Sequence, residues 1–175
     1  MKKTSILIAF CCGALCSLPA FSQAAGGTSD QDFVNMAAQT DMLEAHLGQM
    51  AADQASSDAV KSYAQMLTTD HTNDYQQLTM AATKAGLTVP KGLDAQHEKM
   101  ITPFEKLKGA AFDRHFEQAM VAGHTKAIAE YQKEANTGQN ADIKAYANQA
   151  LPTLQKHLEQ ARDLEKSKGA KSPKM

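Results

Sequence analysis

The segment LTVPKGLDAQHEKMITPFEKLKG, residues 87–109, decides the fold, because it is where the helical periodicity of the chain stops and later resumes. Pro90, Gly92 and Pro103 break it into pieces, leaving one short helix expected from Leu93 to about Thr102. It reads as a connection of more than 20 residues between two helical halves.

On its N-terminal side, Phe33, Met36, Ala37, Leu43, Leu47, Met50 and Ala51 recur at helical spacing between Asp30 and Ala55. Ser56-Ser57-Asp58 then supplies helix-capping residues in a short turn. Val60, Ala64, Leu67, Leu78, Ala81 and Ala85 carry a second helix as far as Gly86. So short a turn makes the pair an antiparallel hairpin. On the C-terminal side the pattern repeats. A third long helix runs from Ala110 to about Thr137, with Phe112, Phe116, Ala119, Met120, Ala127, Ile128 and Tyr131 inward, and stops at Gly138. A fourth runs from Asn140 to about Lys166 on the stripe Ile143, Ala147, Ala150, Leu151, Leu154, Leu158, Ala161 and Leu164, with a kink expected at Pro152. Val60-Lys61-Ser62-Tyr63-Ala64 is similar to Ile143-Lys144-Ala145-Tyr146-Ala147, as a duplicated hairpin would leave them. Two hairpins and a long connection predict an all-α, ferritin-like four-helix bundle with one crossover. An up-down-up-down bundle with a decorated middle loop fits the same pattern.

Outside the bundle, the basic Met1-Lys2-Lys3 and the apolar run from Ile6 to Phe21, followed by Ser22-Gln23-Ala24, read as a signal peptide over residues 1–24. Cleavage after Ala24 would place the mature chain in the periplasm. Cys11, Cys12 and Cys16 all leave with the leader, and none follows the small residue that lipid anchoring needs. Disulfides, thiol catalysis and cysteine metal sites are therefore excluded from residues 25–175. Losing Lys2 and Lys3 leaves 16 of the 18 basic residues against 19 acidic ones, a formal charge of −3 with no field to attract nucleic acid. No second apolar run has spanning length, so no membrane span is expected in the mature chain. The domain is expected over residues 25–166 and a disordered basic tail over 167–175. No pattern names a protein partner or an oligomeric state.

Each long helix carries an ionisable residue within its apolar stripe, where a charge cannot be left unpaired. Glu44 lies among Ala37, Thr40, Leu47 and Ala51; His71 among Ala64, Leu67, Asp74 and Leu78. His124 lies among Met120, Ala127, Ile128 and Tyr131; His157 among Ala150, Leu154, Leu158 and Ala161. With 1.5 Å of rise per residue and the two hairpin turns at opposite ends of a bundle about 40 Å long, their depths are roughly 18, 22, 19 and 12 Å from one end. They converge near the middle, and less tightly so if both turns lie at the same end. Three imidazoles and a carboxylate make a ligand set for one Zn²⁺, Cu²⁺ or Fe²⁺ ion, with Asp70 or Asp74 available to orient a ligand or to add one. The same residues also fit a metal-free buried hydrogen-bonded network that fixes helix register. A coupled di-iron centre needs Glu-x-x-His on two helices. No Glu here precedes a His at that spacing, which disfavours a ferroxidase or an oxygen-activating enzyme. His46, His97 and His115 fall on a solvent face, in the connection and near a helix start, and most methionines are placed as core filler. No nucleophile with a base and no phosphate-cradling glycine loop is present.

Several groups of residues together carry a resemblance to a known family. They are Asp32-Phe33 with Ala37-Ala38; Glu44 with Leu47-Gly48 and Ala51; Met66 with Asp70-His71; and Leu78 with Ala81-Ala82. Gly109-Ala110-Ala111-Phe112-Asp113, His124, and Leu151-Pro152-Thr153-Leu154 with His157-Leu158 complete the set. From Gln31 to Leu164 the chain resembles the bacterial exported family catalogued as domain of unknown function 4142. The resemblance implies ferritin-like topology and an envelope location, and it singles out Glu44, Asp70, His71, Asp113, His124 and His157. It names no reaction. Two expectations follow: a metal-binding bundle serving metal handling or envelope stress protection, or a non-enzymatic structural or interaction module whose His/Glu network holds no metal.

Overall fold

The computed structural model describes residues 29–169, which form five helices: α1 Asp30–Gln54, α2 Asp58–Ala85, α3 Ala95–Glu105, α4 Gly109–Thr137 and α5 Ala141–Gly169. The expected leader over residues 1–24, and residues 170–175 of the expected tail, lie outside the described residues. Among the described residues no helix is long and apolar enough to cross a membrane.

Local chemistry accounts for the helix ends. Ser29 and Asp32 form a capping box at the start of α1, each side chain accepting the other's backbone N–H. Asp94 starts α3 by accepting the N–H groups of Gln96 and His97. Gly86 ends α2 in the left-handed region, at φ 70°, where its N–H returns to the carbonyls of Ala82 and Thr83. Two prolines sit inside helices. Pro103 lies inside α3, which runs through it to Glu105 rather than ending near Thr102 as expected. α5 continues through Pro152 and extends to Gly169, three residues past the expected end at Lys166.

Two sets of hydrogen bonds fix the topology. At one end, Asp113 in the second turn of α4 accepts from the backbone N–H groups of Ser56 and Ser57 and from the Ser56 hydroxyl, so the α1–α2 turn sits beside the start of α4. At the other end, Asp30 at the start of α1 accepts from the N–H groups of Gln139 and Asn140 in the α4–α5 turn. The two hairpin turns therefore lie at opposite ends, α2 and α4 run parallel, and residues 86–108 must climb the length of the bundle. They do so along α1: Gln31 pairs with Thr88, Gln39 bridges Gly92 and Asp94, and Phe104 closes over the Phe112 end of the core. This is the single-crossover, ferritin-like arrangement.

The apolar core is divided in two. One cluster holds Phe33, Val34, Ala37 and Ala38 of α1, Leu78 and Ala82 of α2, Ala127 and Tyr131 of α4, and Ile143 to Leu154 of α5. The other holds Leu43 to Ala51, Val60 to Leu67, Phe112 to Met120, and Ala161. On every long helix the switch from one cluster to the other falls in the same layer: near 41–44 on α1, 71–74 on α2, 124 on α4 and 157 on α5. The packing leaves a buried polar layer between two apolar compartments.

Candidate metal centre

The layer is filled by Asp41, Glu44, His71, His124 and His157, each 3% exposed or less. α1 contributes the two carboxylates from adjacent turns of one face; α2, α4 and α5 contribute one imidazole each. One nitrogen from each of His71, His124 and His157 lies within 4.8 Å of the other two. Glu44 Oε2 stands 3.0 Å from His71 Nε2 and 3.2 Å from His124 Nε2, and His124 Nε2 is 3.2 Å from His157 Nδ1. The sequence thus expected four residues to meet, and they are mutual neighbours here.

The outer nitrogen of every histidine is committed. His71 Nδ1–H donates to Asp41 Oδ1 at 2.9 Å. His124 Nδ1–H donates to the Met120 carbonyl at 2.9 Å, an acceptor that can only be met by a proton on that nitrogen. His157 Nε2–H donates to Asp70 Oδ2, also at 2.9 Å. When those three protons are in place, the lone pairs of His71 Nε2, His124 Nε2 and His157 Nδ1 all turn inward, beside Glu44 Oε2. Among the described residues, Glu44 Oε2 and His71 Nε2 meet no hydrogen-bond partner of good direction, despite their 3.0 Å separation. Four electron-rich atoms therefore face one another in a buried layer, an arrangement that needs protons or a cation between them. The donor set is three nitrogens and one oxygen, each imidazole is held from behind by an acceptor, and the set fits a single transition-metal ion.

Without a metal, charge is shared unevenly. Burial works against protonated His71, but Glu44 and Asp41 outweigh it and push the imidazole up to about 10. Burial alone would raise Glu44; the histidine charges hold it below its ordinary value instead. Burial pushes His157 down to about 4 and lowers His124 as well, so both are neutral at pH 7. Asp41 is pushed up to about 7 by burial, against the pull of His71. The metal-free layer is thus an imidazolium between two carboxylates, next to two neutral imidazoles whose bare nitrogens oppose each other.

The other sequence candidates are sorted by position. Asp70, with its side chain 36% exposed, orients His157. Asp74 accepts from the Tyr146 hydroxyl at 2.7 Å and lies 3.5 Å from that of Tyr131, so it serves the tyrosine pair rather than a histidine. Asp113 is not part of the layer: it is 11 residues before His124 on α4, roughly 16 Å along the axis, and it caps the α1–α2 turn. Met120 contributes its carbonyl, not its sulfur. His46 is exposed, His97 pairs with Asp94, and His115 rests against the Phe104 ring. Asp41 is the residue that the sequence reading missed. Its signal was present, since Ala37, Asp41, Glu44 and Gly48 share one helical face.

Comparison with known proteins agrees with the fold. CopM in its Cu(II)-bound form is similar at a TM-score of 0.65 and 18% identity, over 80% of this chain and 97% of that one. The Cu(I)-bound form of CopM gives 0.66 and 15%, over 81% and 98%. A DUF305 protein from Streptomyces coelicolor, described as secreted, gives 0.62 and 14%, over 84% and 98%. No curated protein matches the chain. The family described as Domain of unknown function (DUF4142) matches residues 17–164, nearly the whole of the helical region, and the chain belongs to that family.

Proposed function

We propose that the protein is an exported metal-handling bundle that holds one transition-metal ion on His71, His124, His157 and Glu44, with Asp41, Asp70 and the Met120 carbonyl orienting the imidazoles. The observation that carries the reading is the direction of the histidines: each outer nitrogen is spent on an acceptor, and each inner lone pair turns toward one shared point beside Glu44 Oε2.

Nitrogen and oxygen donors without sulfur suit a divalent ion of borderline hardness, and among the available ions Cu²⁺ leads and Zn²⁺ follows in intrinsic affinity. CopM, which shares the fold, has structures with Cu(II), Cu(I) and silver bound, and this supports copper as the ion to try first. A bound ion would supply Lewis acidity and, for copper, a redox couple. The residues themselves exclude water, fix three tautomers and keep Glu44 ionised. With the ligands enclosed in the core, sequestration suits the geometry better than turnover, and the leader would place that sequestration in the envelope.

The test is elemental analysis of the mature protein after chelator treatment and reloading with Cu²⁺ or Zn²⁺ at neutral pH. About one tightly held ion per chain is expected for wild type, and loss of it in His71→Ala and His157→Ala. A folded wild-type protein that retains no metal would overturn the proposal and leave the proton-held network, which the clamp of His71 between Asp41 and Glu44 favours on its own account.

A further inference from the structure

The three histidines are at most 1% exposed, so an ion held there needs a way in. Packing is closest within each hairpin, α1 against α2 and α4 against α5, which leaves the two seams between hairpins as routes. The seam between α2 and α5 contains a cavity of about 270 Å³ whose wall includes His71 and His157 together with Asp70, Asp74, Thr153 and Lys156. The cavity on the opposite seam, between α1 and α4, is lined by Asp32, Phe33, Met36, Lys126, Glu130 and Glu134, and it reaches none of the ligands. Of the three groups holding an outer imidazole nitrogen, Asp41 is 1% exposed and the Met120 carbonyl belongs to a buried residue. Asp70 alone is open to solvent, with its side chain 36% exposed.

We infer that the α2–α5 cavity is the port through which a divalent cation reaches and leaves the histidine layer, and that Asp70 on its rim is a positioning residue that controls exchange by holding His157. The inference rests on the metal reading above and adds the route and the residue that regulates it. An incoming hydrated cation first meets the carboxylates of Asp70 and Asp74, which raise its local concentration. His157 lies in the cavity wall and is the ligand held by the exposed Asp70. Its hydrogen bond to Asp70 fixes the ring with Nδ1 inward, and breaking that bond lets the ring turn and carry the ion outward. Asp41 and Met120 hold His71 and His124 from the protein side, so those two ligands stay in place during exchange.

The experiment follows Cu²⁺ uptake by the metal-free protein, and its release to EDTA, by stopped-flow absorbance. Equilibrium affinity and thermal midpoint are measured on the same samples. Thr153→Trp, one turn from His157 on the cavity wall, should slow uptake and release together by more than about tenfold with Kd little changed, since it fills the path without replacing a ligand. Lys126→Trp, on the α1–α4 seam, should leave both rates at wild-type values. Asp70→Asn should accelerate release and weaken affinity by about 10- to 100-fold, with uptake less affected, and Asp70→Glu should restore much of the loss. If Thr153→Trp does not fold, Asn73→Trp on the facing wall makes the same test. Wild-type rates in the blocked variant, equal slowing by Lys126→Trp, or an Asp70→Asn protein that loses thermal stability without a change in release would each overturn the port. Failure of wild-type protein to bind Cu²⁺ at all would overturn the metal site itself, and is distinguished by the equilibrium measurement.

Discussion

His71 is the residue at which the two accounts of the buried layer make different demands. It is 1% exposed, it meets Asp41 at 2.9 Å and Glu44 at 3.0 Å, and it is pushed up to about 10 from an ordinary 6.5. A group whose folded pKa lies above its unfolded value contributes stability that is complete below the unfolded value and is lost as pH rises through the folded one. The metal-free protein should therefore lose stability between pH 7 and 10, by at most about 1.4 kcal/mol per pH unit, when followed by urea denaturation across that range. Removing one member of the pair, as in His71→Leu or Glu44→Gln, leaves a buried charge uncompensated and should cost about 3–5 kcal/mol at neutral pH. The variant that neutralises both carboxylates as well, His71→Leu with Glu44→Gln and Asp41→Asn, should recover to near wild type or above, with a flat alkaline profile. Equal losses in all three variants would show that the two side chains are not paired. The four central residues were legible because a polar residue inside an apolar stripe stands out in one helix at a time. Asp41 shares the face of Glu44, but nothing within α1 marks it as the acceptor for His71, whereas Asp70 and Asp74 lie close to His71 in sequence.

The elements were easier to read than the contacts between them. Four long helices, two short turns and a broken connection follow from periodicity and capping residues, and the helix limits agree within a few residues. Pro103 misled the sequence reading because a proline excludes one hydrogen bond, not a helix whose remaining residues are packed, whereas the helix through Pro152 was expected. Gly48 shows what periodicity leaves unsaid. It interrupts α1 only as a weak helix former, yet a Cβ built there would collide with Thr68 Oγ1 and lie 2.7 Å from the Ala64 carbonyl oxygen, so α1 and α2 approach at a backbone-to-backbone distance. Thr68 meanwhile directs its hydroxyl at the Ala64 carbonyl. Gly48→Ala gains helix propensity of up to about 1 kcal/mol. The carbonyl cannot step aside without disturbing α2, however, and a net loss of about 1–3 kcal/mol is expected. A denaturation midpoint at or above wild type would show that the hairpin opens more easily than this contact implies.

For the whole molecule, the sequence brought the four ionisable residues to similar heights under either arrangement of the hairpins, so their convergence alone left the topology open. What decides it is the pair of carboxylate latches at the two ends: Asp113 on the α1–α2 turn and Asp30 on the α4–α5 turn. Each joins the end of one hairpin to the start of a helix in the other, and neither touches the histidine layer. The two apolar compartments separate the latches from that layer, so end effects and site effects should be independent. Asp113→Ala strips three hydrogen bonds from the α1–α2 turn and should cost about 1–3 kcal/mol. Asp30→Ala removes two from the α4–α5 turn and should cost about 1 kcal/mol. Because the substitutions are at opposite ends, their costs should add to within about 0.5 kcal/mol in the double variant, as measured by denaturant midpoint. Cu²⁺ affinity at neutral pH should stay at the wild-type value in all three proteins while their stability falls. A clear excess over additivity, or a drop in affinity that tracks the loss of stability, would mean that the four helices move as one body around the polar layer, and that the geometry of the ligands is set from the ends of the bundle rather than by the acceptors behind each histidine.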